Sequence, residues 1–212
     1  MIANEAEARK FVARNCDAAG LARLERLVEL LLAENRHQNL IAANSLQSLW
    51  LRHIADSLQL LAHVPREAAG DWLDLGTGAG FPGLVIAAIR PDLSMKLVES
   101  RRKRVAWLER ARTELGLGNC QILGSRLELV DSFPAGVISA RAFAPLPRLL
   151  DLSARFSTPA TYWLLPKGRS AAQELAALPE SQRKMFHVER SLTEPGAGII
   201  VGHLRQEARQ GA

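Results

Sequence analysis

With two cysteines in 212 residues, and neither near a second thiol or a histidine cluster, the chain lacks the makings of a disulfide framework or a zinc site. Cys16 and Cys120 read as ordinary buried thiols. No apolar run approaches the roughly 18 residues that a membrane span requires. The start, Met1 to Arg14, mixes charges instead of passing from basic to apolar, so the expectation is a cytoplasmic protein without membrane contact. Low-complexity tracts and internal repeats are missing as well. What is present suits a folded chain: 48% hydrophobic and 23% charged residues, enough for one full core and at most a small second unit. The formal charge of +5 favours a polyanionic partner, because lysines and arginines that meet phosphates release condensed counterions.

The first third has helical periodicity. Leu24, Leu27, Val28 and Leu31 form one stripe; Leu46, Leu49, Trp50, Ile54, Leu58 and Leu61 form another, with Asn44 or Ser45 as its cap. Pro65 and Gly70 end this region. From Asp71 onward short apolar runs alternate with helical stretches, the pattern of a parallel sheet with crossover helices. Strands are expected at 71–75, 95–99, 120–123, 137–140, 161–165, 185–189 and 199–203, and helices at 101–115 and 146–156. The last two strands leave little room for a crossover, so an antiparallel strand is expected at the sheet edge. The division is a helical extension, 1–68, packed on an α/β core, 69–212.

The chemistry is concentrated after the first strand, in Asp74-Leu75-Gly76-Thr77-Gly78-Ala79-Gly80-Phe81-Pro82-Gly83. Such a loop lets a ligand lie against bare backbone at the start of a helix. The dinucleotide fingerprint requires glycine at position 81, where this chain has Phe81, which argues against a nicotinamide-dependent reductase. The match is to the acid-x-Gly-x-Gly-x-Gly loop of Rossmann-like methyltransferases, in which Asp74, Gly76, Gly78 and Gly80 would receive the methionine part of S-adenosylmethionine. Glu99, ending the second strand, sits where a carboxylate can accept both ribose hydroxyls. Ser125-Arg126-Leu127-Glu128 follows the third strand, where related folds contact adenine. Arg141 follows the fourth, and its planar fork suits either a cofactor carboxylate or an RNA phosphate.

Arg101-Arg102-Lys103-Arg104 puts four cations at a helix start, where the macrodipole disfavours them. RNA phosphate or the nearby Glu99 and Glu109 could offset that. Arg52 and Asp56 are spaced for a helical ion pair, with substrate contact as the second reading. His53 lies near the apolar stripe, and Lys167-Gly168 is the last basic candidate.

In combination, Asn39-Leu40, Arg52-His53-x-x-Asp56-Ser57, the glycine loop, Lys103-Arg104, Ser125-Arg126-x-Glu128, Arg141-Ala142-Phe143-Ala144 and Lys167-Gly168 resemble the RsmG (GidB) family. The resemblance runs in order from about 24 to 168. It implies a class I S-adenosylmethionine-dependent fold with a mostly parallel seven-stranded sheet. It also implies methylation of N7 of a guanine in the 530 loop of 16S ribosomal RNA. Gly76, Phe81, Leu127, Glu128 and Arg141 fall on positions that bind the cofactor in that family. Arg52, His53, Lys103, Arg104, Arg126 and Lys167 are the RNA-binding candidates, toward free 16S rRNA or a small-subunit particle. The expected state is a monomer, since a large RNA surface must reach the crevice.

Guanine N7 has a lone pair and no proton, so in-line attack on the sulfonium methyl needs no base. No catalytic acid or base is therefore assigned, and no metal. The chain lacks the Pro-Pro-aromatic tetrapeptide of amino-group methyltransferases. A small-molecule methyltransferase would not need the basic surface, and a noncatalytic RNA-binding protein would not need an intact glycine loop.

Overall fold

The structure, a computed structural model, describes residues 1–65, 68 and 70–203. The expected boundary between 68 and 69, and the final stretch 204–212 of the core, involve residues outside that set.

Seven strands form one sheet: β1 (Asp71–Leu75), β2 (Met95–Val98), β3 (Cys120–Leu123), β4 (Ala135–Ala140), β5 (Tyr162–Pro166), β6 (Phe186–Arg190) and β7 (Gly198–His203), in the order β3-β2-β1-β4-β5-β7-β6. The first five pair in parallel. Strand order reverses direction on either side of β1, which opens a crevice at the carboxyl ends of β1 and β4, where doubly wound sheets bind ligands. This is a Rossmann-like sheet of the class the resemblance implies.

The antiparallel strand is not at the edge. β7 lies between β5 and β6 and runs antiparallel to both. The reason is in the side chains: Ile199, Ile200 and Val201 are all buried, so β7 needs cover on both faces. In β6, by contrast, His187, Val188 and Arg190 are exposed, which suits a strand with an open side.

Alternate residues of the central strands enter two cores. Trp72, Met95, Leu97 and Val137 face the N-terminal helices α1 (Glu5–Arg14) and α2 (Ala18–Glu34), with α4 (Gly83–Ile89) and α5 (Arg102–Glu114). Leu73, Leu75, Ile138 and Leu165 face α6 (Leu146–Ser153) and α7 (Ala171–Ala176), with the short α8 (Glu180–Arg183) beside β6. That is the period of two expected of strands buried on both faces. Among the described residues no helix is long and apolar enough to cross a membrane.

The second N-terminal stripe is not one regular helix. A 3-10 turn (Ala43–Ser48), a π turn (Trp50–Ala55), the three-residue α3 (Asp56–Leu58) and another 3-10 turn (Gln59–His63) follow one another. Neither Asn44 nor Ser45 caps it. The N–H groups of Trp50 and Leu51 donate instead to the two carboxylate oxygens of Glu5, at 2.7 and 2.9 Å, so α1 caps a segment 45 residues away. Of the two thiols, Cys120 is buried as expected; Cys16 is half-buried and donates to the Val12 carbonyl at 3.2 Å.

Candidate active site

β1 delivers the chain to the crevice, and the glycine loop then folds back beneath and beside it. Gly76 holds φ +61°, and a Cβ there would come within 2.5 Å of the Phe143 ring, so this ring packs on bare backbone. Ala142, at φ +54°, makes the turn that carries Phe143 over the loop, an uncommon conformation for a residue with a side chain. At Gly83 the constraint is close approach: a Cβ would meet Leu97 at 2.7 Å and Asp74 Oδ2 at 2.8 Å.

Asp74 lies under the loop, fully buried. Its Oδ2 accepts the Gly83 N–H at 3.1 Å and its Oδ1 accepts the Ser139 hydroxyl at 2.7 Å, which in turn accepts Trp72 Nε1–H at 2.8 Å. Burial, only partly offset by these donors, raises its pKa from 3.8 to about 6. Asp74 thus ties β1, β4 and the start of α4 together from below, a task that its motif position does not distinguish from ligand contact.

Above the loop is a cleft of about 490 Å³. Glu99, buried at its floor, accepts the Gly78 N–H at 3.1 Å on one oxygen and the Ser100 and Arg101 N–H groups, both at 2.8 Å, on the other. A carboxylate accepts about four hydrogen bonds, so one acceptor site is left toward the cleft. Leu127, buried in a 3-10 turn (Leu127–Leu129), supplies an apolar shelf, and Arg155 braces that turn through the Leu127 and Val130 carbonyls. Gly76, Glu99, Arg104, Arg126, Leu127 and Glu128 all line this cleft. Phe143 and Arg148, which sequence reasoning did not assign, line it too; their place depends on the β4–α6 connection and has no local signal.

Other candidates lie elsewhere. Phe81 is buried, with His53 stacked on it at 4.9 Å and the Arg141 guanidinium 5.4 Å from its ring centre. Arg141 turns toward the N-terminal segment, donating to the Arg52 carbonyl at 3.2 Å, Asp56 Oδ2 at 3.4 Å and His53 Nδ1 at 3.1 Å. Neither residue lines the cleft with Gly76 and Glu99, and Gly80 is covered by Leu84, which a Cβ would meet at 2.4 Å. The expected Arg52–Asp56 pair does not form: a π turn advances the register past i+4, and Asp56 pairs with Arg141 instead.

The RNA candidates also divide. Arg52, Lys103 and Arg126 are exposed. Arg104 is half-buried with its Nη1 3.8 Å from Glu99. His53 is buried, and burial followed by Arg141 and Arg52 lowers its pKa to about 3. Lys167 is not a free cation: it binds the Ala144 carbonyl and Glu174, both at 2.9 Å, with 9% of its side chain exposed.

A family model described as rRNA small subunit methyltransferase G (GidB) matches residues 20–197. The ribosomal RNA small subunit methyltransferase G of Erythrobacter litoralis is 60% identical over 205 residues, covering 97% of this chain and 99% of that one. Its namesake from Rhizorhabdus wittichii is 49% identical over 212 residues, covering 100% and 98%. Among solved structures, a methyltransferase from Geobacter sulfurreducens superposes with a TM-score of 0.57 at 14% identity, covering 85% of this chain and 89% of that one. A SAM-dependent methyltransferase from Aquifex aeolicus gives 0.51 at 17% identity over 69% and 87%. These two share the fold, while the relatives match almost end to end, and the chain belongs to the rRNA small subunit methyltransferase G family.

Proposed function

We propose that the protein transfers the methyl group of S-adenosylmethionine to N7 of a guanine in the 530 loop of 16S ribosomal RNA, acting as a monomer on the RNA or the small-subunit particle. The observation that carries the reading is the cleft, which the backbone of Gly76, the anchored carboxylate of Glu99 and the apolar shelf of Leu127 line together. These residues fit a nucleoside-bearing sulfonium. Glu99 would accept a ribose hydroxyl at its remaining site, Leu127 would cover one face of the adenine with Glu128 at its edge, and the Gly76–Gly78 backbone would border the methionine part. The cofactor supplies an electrophilic methyl group. Everything else is positioning, because guanine N7 brings its own lone pair and releases no proton.

Several features agree with a base that must remain unprotonated and develop positive charge. His53 is held neutral, so it adds no cation beside the acceptor. Arg101 and Arg126 are exposed at the cleft, with Arg102 and Lys103 exposed at the start of α5, where RNA phosphates would neutralise them. The test is to incubate the protein with methyl-labelled S-adenosylmethionine and small ribosomal subunits lacking this modification, then digest and map the RNA. One labelled 7-methylguanosine in the 530 loop is expected. Label on another atom or in another loop would overturn the reading, and label only in low-mass material would favour a small-molecule acceptor.

A further inference from the structure

A second cavity of about 280 Å³ lies against Arg141 and Ala142, and the reading above places no ligand in it. Its walls come from four distant segments: His53 and Asp56, Arg141 after β4, Lys167 after β5, and Glu194 in the β6–β7 connection. Small-molecule pockets span roughly 300–1,000 Å³, so this one suits a single ring system.

Its hydrogen-bonding character is determined by its neighbours. Arg141 Nη2 lies 3.1 Å from His53 Nδ1. A guanidinium only donates, so Nδ1 accepts and the ring proton is on Nε2. That Nε2–H is buried and has no acceptor among the described residues, a costly state that a ligand acceptor would relieve. Asp56 accepts from Gln59 and Thr193 on Oδ1 and from Arg141 on Oδ2, so it is already held by three donors, one of them a cation. The cations Arg141 and Lys167 pair with Asp56 and Glu174. Glu194 is exposed, and its carboxylate has no salt bridge among the described residues.

We propose that this cavity takes the target base and that Glu194 selects guanine, accepting N1–H and N2–H on its two oxygens while His53 Nε2–H donates to O6. The proposal rests on guanine being the acceptor. Of the four RNA bases only guanine presents two adjacent N–H donors beside a carbonyl oxygen, the complement of one carboxylate and one N–H. A base held by that edge keeps N7, on its other edge, clear of Glu194 and available to the methyl group. Reaching such a pocket requires the nucleotide to leave its stack, as enzymes that modify bases commonly require.

The test pairs a protein change with a base change. Small subunits are reconstituted with 16S rRNA carrying guanosine or inosine at the modified position; inosine lacks the N2 amino group and keeps O6, N1–H and N7. For the wild type, inosine should lower kcat/KM by about 5- to 100-fold, the range of one bidentate contact. Glu194→Ala should lower kcat/KM on guanosine by a similar factor, leave S-adenosylmethionine affinity and Tm unchanged, and reduce the inosine penalty to under about twofold. An equal inosine penalty in both proteins, no penalty in the wild type, or full activity of Glu194→Ala on guanosine would each overturn the assignment with the function intact. A wild type that makes no 7-methylguanosine on the guanosine particle would instead remove the functional reading and this proposal with it.

Discussion

At Arg141 a single guanidinium serves the Arg52 carbonyl, the Asp56 carboxylate and the His53 ring, with Phe81 beside it. Sequence position suggested a hand for a cofactor or phosphate; the packing makes it a cross-link between β4 and the N-terminal segment. Arg141→Ala leaves two half-buried acceptors short of a donor, and unfolding free energy should fall by about 1–3 kcal/mol in urea titration. A change under about 0.5 kcal/mol would show that these contacts are idle. His53 allows a second check. Unfolded, its ring titrates near 6.5, while folded it resists protonation down to about 3, so its contribution is complete above 6.5 and is lost as pH falls from there toward 3. Asp74 acts in the opposite sense: its folded pKa of about 6 exceeds 3.8, so its contribution grows as pH falls through that interval. His53→Gln removes only the first effect. Between pH 7 and 4.5 the urea midpoint of the wild type should therefore fall further than that of the variant, and equal falls would show that His53 protonates within the fold.

Among the elements, the glycine loop and the parallel strands were legible because their signals are local: short apolar runs, and glycines directly after one of them. Glu99 could be found for the same reason, as the residue that follows β2; Leu127, in the turn after β3, was reached through the family resemblance. Segment 43–63 was misread because its apolar spacing fits a helix while its end is satisfied from outside, by Glu5. A cap that arrives through tertiary packing has no sequence signature. It does have a measurable one: Glu5→Ala removes two charge-assisted bonds to Trp50 and Leu51 and should cost about 1–2 kcal/mol. Asn44→Ala, at an exposed residue without a capping bond, should stay within about 0.5 kcal/mol of wild type. The reverse ranking in urea would restore the local cap. The inward position of β7 could have been read from its unbroken Ile199-Ile200-Val201 against the mixed Phe186-His187-Val188-Glu189, since the strand that needs two covered faces takes the inner place.

Across the whole molecule, charge is sorted by what it already binds. Lys167 and Arg141 are tied to Glu174 and Asp56, so neither offers a free cation to a polyanion. Arg101, Arg102, Lys103 and Arg126 remain exposed beside the cleft. Counterion release makes this difference visible, because each phosphate contact contributes about 0.7–0.9 to the slope of log affinity against log salt. Arg102→Ala with Lys103→Ala should therefore lower the slope for small-subunit binding by about 1.4–1.8, uniformly across RNA sequences, while S-adenosylmethionine affinity stays unchanged. Lys167→Met should leave that slope alone and lower stability, since it strips Glu174 of its paired cation and the Ala144 carbonyl of its donor. The measurement is particle binding at several salt concentrations for the three proteins. If the slope falls for Lys167→Met and not for the double variant, the RNA track runs along the β5 end of the sheet, and the cations at the start of α5 are only a solvated face.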